Sequence, residues 1–177
     1  MHIKVYDAPE ACTLDLYADA DLGGCPYTAR STSGLFLVIQ GPGGTFAPIT
    51  WYSRKQSLVA RSTADAEAHS LAEGMFTELL PALLLLQKLL GDRAPKAVAR
   101  EDNSAVVQAV MKGYSIKLRH LARTPKLSFA SLNEACTSLC ELVQTPTTEQ
   151  LGDIFTKVLQ PNQFNVASLG LELFTPN

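Results

Sequence analysis

The topology of this chain depends on a short run near its middle, Lys96-Ala97-Val98-Ala99-Arg100-Glu101-Asp102. The run has the length and composition of a β-strand, and Asn103-Ser104 directly after it suits the cap of a following helix. A long helical stretch precedes the run, so the chain reaches this strand through a crossover. A strand reached in this way lies parallel to its partner in the same sheet.

Three further strands precede the crossover. They are predicted at residues 13–19, 33–39 and 46–53. A turn at Gly23-Gly24 follows the first strand, and Gly41-Pro42-Gly43-Gly44 is a strong turn signal after the second. Because both connections are short, the three strands are expected to form an antiparallel meander.

Residues 62–90 change to a helical period. Ser62, with Asp65 three residues later, resembles a capping box at the start of a helix. The apolar stripe of this helix comprises Ala68, Leu71, Ala72, Met75 and Leu79. Pro81 is expected to end or kink the helix, and a second apolar segment runs to Leu90-Gly91.

The rest of the chain predicts two helices, a last strand and a final helix. The first three of these are expected at residues 105–112, 127–139 and 140–144. Thr147-x-x-Gln150 is a second capping-box pattern, and Pro161 closes the helix that it predicts. One face of that helix carries Leu151, Ile154, Phe155 and Val158. The predicted order is therefore β-β-β-α-β-α-α-β-α, an α/β fold.

The composition indicates one globular domain. The chain has 177 residues, 46% of them hydrophobic, with 15 Lys and Arg against 17 Asp and Glu and a net charge of −2. A chain of this size buries about 70% of its unfolded surface, and the composition excludes disordered, collagen-like and disulfide-rich classes. We expect a domain at residues 13–160, an N-terminal extension at residues 1–12 and a C-terminal tail at residues 161–177. The net negative charge by itself argues against a nucleic-acid partner.

The cysteines and the apolar runs exclude further classes of protein. The four cysteines form no C-x-x-C pair, which argues against a zinc ribbon and favours reduced thiols in an intracellular protein. No secretory signal pattern follows Met1. The most apolar run, residues 79–86, is about half the length needed to span a bilayer. We therefore expect no membrane partner.

Four carboxylates occupy positions at which the predicted fold can bring them together. Asp19 and Asp102 each end a strand, and they project at the same carboxyl edge if these strands are parallel neighbours. Glu67 and Asp153 border the apolar faces of two helices. Acids without a His or Cys ligand suit hard cations such as Mg²⁺ or Mn²⁺, and two such ions form the clamp used in phosphodiester hydrolysis. Spacing alone fits solvated or helix-starting acids more simply.

Six motifs occur in one order along the chain. They are Tyr17-Ala18-Asp19-Ala20-Asp21, Arg30-Ser31-Thr32-Ser33-Gly34, Ile49-Thr50-Trp51-Tyr52-Ser53-Arg54-Lys55-Gln56, Ser62-Thr63-Ala64-Asp65-Ala66-Glu67, Asp102-Asn103-Ser104-Ala105 and Thr148-Glu149-Gln150-Leu151-Gly152-Asp153-Ile154-Phe155-Thr156-Lys157. Together they resemble the ribonuclease H domain that ends the polyprotein of copia-type long-terminal-repeat retrotransposons, over roughly residues 13–171. The resemblance implies an RNase H-like fold, in which a mixed five-stranded sheet is flanked by helices. It also implies cleavage of the RNA strand of RNA/DNA hybrids during reverse transcription.

The resemblance implies a set of site residues, cofactors and partners. The catalytic and metal-holding residues it implies are Asp19, Glu67, Asp102 and Asp153, with Asp21 a weaker candidate than Asp19. Two Mg²⁺ ions are implied as cofactors, with Mn²⁺ as a substitute. The implied partners are an RNA/DNA hybrid and the reverse transcriptase part of the parent polyprotein. The expected location is the cytoplasm, including retrotransposon particles, or the nucleus.

Polar and basic residues near the motif loops are candidates for contact with nucleic acid. The loop candidates are Arg30, Ser31, Thr32, Gln56, Asn103 and Ser104, and each is equally well interpreted as a turn or cap residue. No Asp or Glu occurs between Asn103 and Asn133, and this stretch contributes three further candidates, Lys117, Arg119 and Arg123. Such a stretch suits a phosphate backbone, although a solvated face has the same composition.

Two departures from the motif pattern leave a second hypothesis open. Ala68 stands where the resembled domains commonly have an aromatic residue, and Glu101 stands where they usually have a cysteine. The alternative is a catalytically inactive remnant that binds nucleic acid or acts as a scaffold, with residues 83–90 docking on the polymerase part. An integrase-like nuclease is disfavoured, because the acids follow the order Asp, Glu, Asp, Asp.

Overall fold

The computed structural model describes residues 3–115, 128–157, 161, 162 and 164. Within them the chain forms a five-stranded sheet in the order β3-β2-β1-β4-β5. The strands are β1 (Thr13–Ala20), β2 (Thr32–Gln40), β3 (Phe46–Lys55), β4 (Lys96–Glu101) and β5 (Cys140–Gln144). β1, β2 and β3 pair antiparallel, whereas β4 pairs parallel with both β1 and β5. The predicted mixed five-stranded sheet and its crossover are confirmed.

Four α-helices accompany the sheet in the described residues. They are α1 (Thr63–Gly74), α2 (Leu80–Leu90), α3 (Ser104–Lys112) and α4 (Phe129–Ser138). α1 begins at the predicted cap, where the Ser62 hydroxyl accepts a hydrogen bond from the Asp65 N–H at 3.2 Å. α3 begins at the Asn103 side chain, which accepts from the Ala105 N–H at 3.1 Å. Both caps satisfy backbone donors that the first turn of a helix leaves free.

α1 lies closely against β1 and β2. Gly74 permits this approach, because a Cβ at that position would lie 2.3 Å from Leu35 Cδ1. Four residues earlier, the Ser70 hydroxyl donates to the Asp19 carbonyl at 2.8 Å. This part of α1 therefore lies over the carboxyl end of β1.

The helix does not break at Pro81. A π-helical turn, Met75–Leu79, joins α1 directly to α2, and the Leu80 N–H donates to the Met75 carbonyl five residues earlier. A proline has no N–H to donate, and in an α-helix its ring clashes with the carbonyl four residues before it. The wider π turn relieves this conflict, so the expected break or kink is replaced by a local change of helical period.

The apolar run at residues 79–86 belongs to a helix much longer than the run itself. This helix continues from Thr63 to Arg93. It has 31 residues and, by length and composition alone, is apolar enough to cross a membrane. One side of it belongs to the core, with Leu71, Met75 and Leu83 buried. In its most apolar window 22% is buried, and one such helix is weak evidence for a membrane span.

The segment after β5 differs from the predicted final helix. Up to Lys157 it forms two 3-10 turns, Thr147–Glu149 and Leu151–Phe155, and Val158 lies outside the described residues. Between the turns, the Gln150 amide donates to the Ala18 carbonyl of β1 at 3.1 Å and its oxygen accepts from the Gly152 N–H. Because these contacts bind Gln150 to the sheet, the capping-box interpretation of Thr147 and Gln150 was wrong.

The Leu151–Phe155 turn crosses the face of the sheet opposite α1. Gly34 of β2 permits the crossing, because a Cβ there would lie 2.5 Å from Thr156 Cγ2 and 2.9 Å from the Gly152 carbonyl oxygen. The crossing brings Asp153 and the residues after it to the carboxyl end of β1. The described part of the expected extension, residues 3–12, also packs on the sheet, through a bridge between Lys4 and Phe46.

Candidate active site

Three carboxylates meet at the carboxyl edge of β1 and β4. Asp19 lies near the end of β1, Asp102 directly follows β4, and Glu67 lies in the first turns of α1. Each acid offers one carboxylate oxygen, and these three oxygens lie within 4.8 Å of one another. Asp19 is completely buried, Glu67 is buried and Asp102 is half-buried. The parallel pairing of β1 with β4 is what makes the two strand ends coincide.

Asp153 joins this group through a lysine. The Lys157 ammonium lies 2.6 Å from Asp153 Oδ1 and 3.2 Å from Asp19 Oδ1, while the Thr156 hydroxyl donates to the other oxygen of Asp19. The spacing of four residues places Asp153 and Lys157 side by side on the chain. All four acids named from the sequence therefore lie at one edge of the sheet, with Asp153 held there by an ion pair.

Three contacts to the acids were not expected from the sequence. Thr147 was assigned to a helix cap, but its hydroxyl donates to Asp102 Oδ2 at 2.9 Å. Lys157 closes the last of the six motifs, yet no role was assigned to it. The hydroxyl of Ser70 holds the Asp19 carbonyl. No sequence signal reveals the contacts with Asp102 and Asp19, because each joins residues far apart in the chain. Only the Asp153–Lys157 pair, four residues apart, has a spacing that could have suggested it.

Glu101 is a further acid beside the group. Its side chain is completely buried at the end of β4, one residue before Asp102. Its Oε1 accepts a hydrogen bond from the Asn103 N–H at 3.0 Å. Its Oε2 is buried without a hydrogen-bond partner among the described residues, and Oε2 of Glu67 shares this condition.

Burial and mutual repulsion disfavour ionisation of three acids at this edge, Glu67, Glu101 and Asp153. Desolvation, and then the charges of Glu101, Asp19 and Asp102, raise the pKa of Glu67 to about 10. Desolvation above all raises the pKa of Glu101 to about 8, and that of Asp153 to about 6. Each shift means that the folded protein holds a proton more tightly than a free carboxyl group does.

These residues fit a hard divalent cation. The donors are carboxylate oxygens, the ligand type that Mg²⁺ and Mn²⁺ prefer. Two of the buried oxygens, on Glu67 and Glu101, have free acceptor capacity among the described residues. Buried carboxylates that repel one another are stabilised by a cation placed between them. The arrangement at this edge is therefore chemically suited to a metal-dependent reaction.

The loop candidates for nucleic-acid contact divide into two groups. Arg30 and Ser104 are exposed, whereas Asn103 is half-buried and caps α3. Thr32 is half-buried in β2, and its N–H donates to the carboxylate of Asp21. That contact assigns Asp21 to the turn between β1 and β2.

Ser31 and Gln56 face the interior, and their contact with nucleic acid stays a prediction. Ser31 is completely buried, and its hydroxyl accepts from the Gly23 N–H at 3.1 Å. The Gln56 amide is buried and donates to Ser33 Oγ and to the Ala66 carbonyl, both at 2.9 Å. These side-chain groups are bonded within the protein, and the bond to the residue before Glu67 links the end of β3 to the start of α1.

The basic stretch after α3 is outside the described structure. Lys117, Arg119 and Arg123 fall within residues 116–127, which the structure does not describe. Their contact with nucleic acid therefore stays a prediction.

Comparison with known proteins identifies the fold. No protein-family model matches the sequence. The structure is similar to LC11 ribonuclease H1, isolated from compost by a metagenomic approach, with a TM-score of 0.53 and 17% identity over 81% of this chain and 92% of that one. For ribonuclease H1 of the archaeon Halobacterium salinarum NRC-1, the TM-score is 0.49 and the identity 13%, over 79% and 90% of the two chains. The protein has an α/β ribonuclease H-like fold.

A protein with a similar sequence indicates the kind of polyprotein in which such a domain occurs. The retrovirus-related Pol polyprotein from transposon RE1 of Arabidopsis thaliana is 27% identical over 158 residues, which are 88% of this chain. The match spans about 10% of the length of that polyprotein. Together with the fold, it supports a ribonuclease H domain of a retrotransposon polyprotein and confirms the resemblance that the six motifs indicated. The copia-type assignment stays a prediction.

Proposed function

We propose that this protein is a metal-dependent endoribonuclease that cleaves the RNA strand of RNA/DNA hybrids during reverse transcription of a copia-type retrotransposon. The observation that carries the proposal is the convergence of Asp19, Glu67 and Asp102, whose oxygens lie within 4.8 Å of one another. The ribonuclease H-like fold and the match to a transposon Pol polyprotein support it.

The acids of this chain would hold the cations, and neighbouring hydroxyl groups would orient the acids. Asp19, Glu67 and Asp102 would hold a divalent cation, and Asp153 would complete a second position beside Asp19. When bound, two Mg²⁺ or Mn²⁺ ions supply an activated water nucleophile and stabilise the leaving 3′ oxygen of the phosphodiester. Thr147 orients Asp102 and Thr156 orients Asp19 through their hydroxyls. No covalent protein nucleophile is required.

Recognition of the hybrid would rest on its shape and on its 2′-hydroxyl groups. An enzyme that removes RNA of any sequence does not need contacts that distinguish one base from another. Arg30, Asn103 and Ser104 lie in the loops beside the acidic edge and are the described candidates for such contacts. Lys117, Arg119 and Arg123 would add phosphate contacts from the basic stretch.

The test is cleavage of a hybrid labelled on its RNA strand, by the wild-type protein and by Asp19→Asn. We expect cleavage in Mg²⁺ or Mn²⁺, and at least a hundredfold slower cleavage by the variant with hybrid binding retained, because the substitution removes a charge that holds a cation. Asp92→Asn is the matched control, since Asp92 is exposed before β4, at the opposite edge of the sheet. Activity retained by Asp19→Asn, or absent from a folded wild-type protein, would contradict the proposal.

A second function is favoured by one observation. Leu84, Leu85 and Leu89 of α2 are 58–70% exposed, as expected of a helix that docks on a partner. A scaffold remnant docked on the reverse transcriptase part would use this face without catalysis. The same cleavage assay separates the two functions, because only the enzyme requires a divalent cation and Asp19.

A further inference from the structure

Glu101 is buried more completely than an acid without a strong partner should be. Its side chain has no exposed surface, and it lies on the face of β4 that also carries the core residues Ala97 and Ala99. Burial of a carboxylate is unfavourable unless the group is paired or bound to a metal. Its only hydrogen bond in the described structure is the one that Oε1 accepts from the Asn103 N–H.

The free oxygen of Glu101 belongs to the same electrostatic environment as the three converging acids. Oε2 of Glu101 and Oε2 of Glu67 are both buried without partners among the described residues. Of the charges that raise the pKa of Glu67, that of Glu101 acts most strongly, ahead of Asp19 and Asp102. The face of β4 that carries Glu101 belongs to the same core cluster as the face of α1 that follows Glu67. Both orphaned oxygens therefore lie on this side of the sheet, at the end of β4.

The lysine at this edge is already engaged. Among the described residues, the Lys157 ammonium is the positive charge that acts on both Glu67 and Glu101. It is bonded to Asp153 at 2.6 Å and to Asp19 at 3.2 Å. Two buried carboxyl oxygens thus remain without a partner in the described protein. A proton complements them in the metal-free protein, and a divalent cation can take its place.

We propose that Glu101 is a fifth carboxylate of the divalent-cation site, supporting the ion directly or through its hydration water. The proposal rests on the proposed function, since it uses the cation position of Asp19, Glu67 and Asp102. Because more carboxylate charge strengthens the binding of hard cations, Glu101 makes this site tighter than the four acids alone would make it.

The experiment measures Mn²⁺ binding by calorimetry, without any substrate. It compares the wild-type protein with Glu101→Gln, which keeps the shape of the side chain and removes its charge. We expect the dissociation constant to rise by about tenfold or more, the usual effect of losing a carboxylate that supports a metal site. Glu141→Gln is the matched control, because Glu141 is an exposed acid near the start of the neighbouring strand β5. We expect it to bind Mn²⁺ as the wild type does.

The outcomes separate the two proposals. If the wild type binds Mn²⁺, Asp102→Asn abolishes binding and Glu101→Gln binds as the wild type does, the role of Glu101 is refuted and the cation site stands. If the folded wild type binds no Mn²⁺, both proposals fail. An equal loss in Glu141→Gln also overturns the inference, since net charge would then explain it. Glu101→Met, an apolar side chain of similar length, gives the same comparison should Glu101→Gln not fold.

Discussion

Lys157 shows how one side chain organises half of the acidic edge. Asp19 is completely buried and Asp153 is half-buried, and the same ammonium bonds to both. These bonds to the two acids are what raise the pKa of Lys157 above its ordinary value, against the effect of its desolvation. In the absence of a divalent cation, this lysine supplies the positive charge that a buried aspartate needs.

Replacing Lys157 by Met should therefore destabilise the metal-free protein. We expect a loss of roughly 1–3 kcal/mol in the free energy of unfolding, between the values for exposed and buried ion pairs, because the lysine side chain is 37% exposed. Denaturant unfolding in EDTA measures the loss. Lys88→Met, at an exposed position of α2, is the control and should change little. Equal stability of both variants would show that the ion pair contributes nothing.

At the scale of elements, the segment after β5 completes the acidic edge. A regular helix starting at Thr147 would have been the simplest outcome of the sequence pattern. Instead, two 3-10 turns follow the path set by Gln150, which is bonded to β1, and by Gly34, which leaves room for the crossing. The position of Asp153 beside Asp19 thus depends on contacts with two strands.

Gly34→Ala should displace this segment. Its Cβ would lie too close to Thr156 Cγ2 and to the Gly152 carbonyl, so the turn must move away from β2. We expect a loss of about 1–3 kcal/mol in stability, as for other overpacked sites, together with weaker Mn²⁺ binding. Thermal unfolding and calorimetry measure the two effects.

Thr156→Ser tests the cause of that loss. It removes the methyl group nearest to the new Cβ and keeps the hydroxyl that donates to Asp19. Added to Gly34→Ala, it should restore part of the stability. Full stability of the single variant Gly34→Ala would contradict the close approach.

At the scale of the whole molecule, charge is distributed unevenly. The net charge of −2 gives no sign of the five acids gathered at one edge of the sheet. Bound divalent cations would offset this local excess, so a weakly acidic chain remains compatible with a nucleic-acid partner. The close placement of these acids also makes the stability of the protein depend on pH.

Without divalent cations, the protein should become less stable as pH rises from about 5 to about 8. In the unfolded chain Glu67 and Glu101 lose their protons near the ordinary value of 4.5, whereas the folded protein retains them toward a pKa of about 10 and about 8. The folded state thus binds more protons in this interval, and its stability falls until the folded pKa values are passed.

Thermal unfolding in EDTA from pH 5 to pH 8 measures this fall, which should amount to several degrees. Saturating Mn²⁺ should reduce or reverse it, because cation binding favours the ionised carboxylates. Glu101→Gln should make the EDTA profile flatter. A melting temperature that rises with pH in EDTA would contradict the assignment of these two acids as its source.

Local pattern was sufficient to predict most of the architecture. β4 and β5 lie at the predicted residues, and the crossover implied that β4 runs parallel to its partner strand, which the structure shows to be β1. The convergence of Asp19 and Asp102 follows from that topology alone, since parallel neighbours end at the same edge. The π turn before Pro81 was not predictable, because it is one of several ways in which a helix accommodates a proline.

Sequence alone predicted the order of most elements along the chain, the caps of α1 and α3, and the acids at the ends of β1 and β4, because each follows from local periodicity and chain connection. Tertiary structure was needed to bury Glu101 beside Glu67, bond Lys157 to two acids, and turn Ser31 and Gln56 inward. The physical reason is that burial and pairing depend on residues that are distant in the chain. A local pattern holds no information about which of them become neighbours.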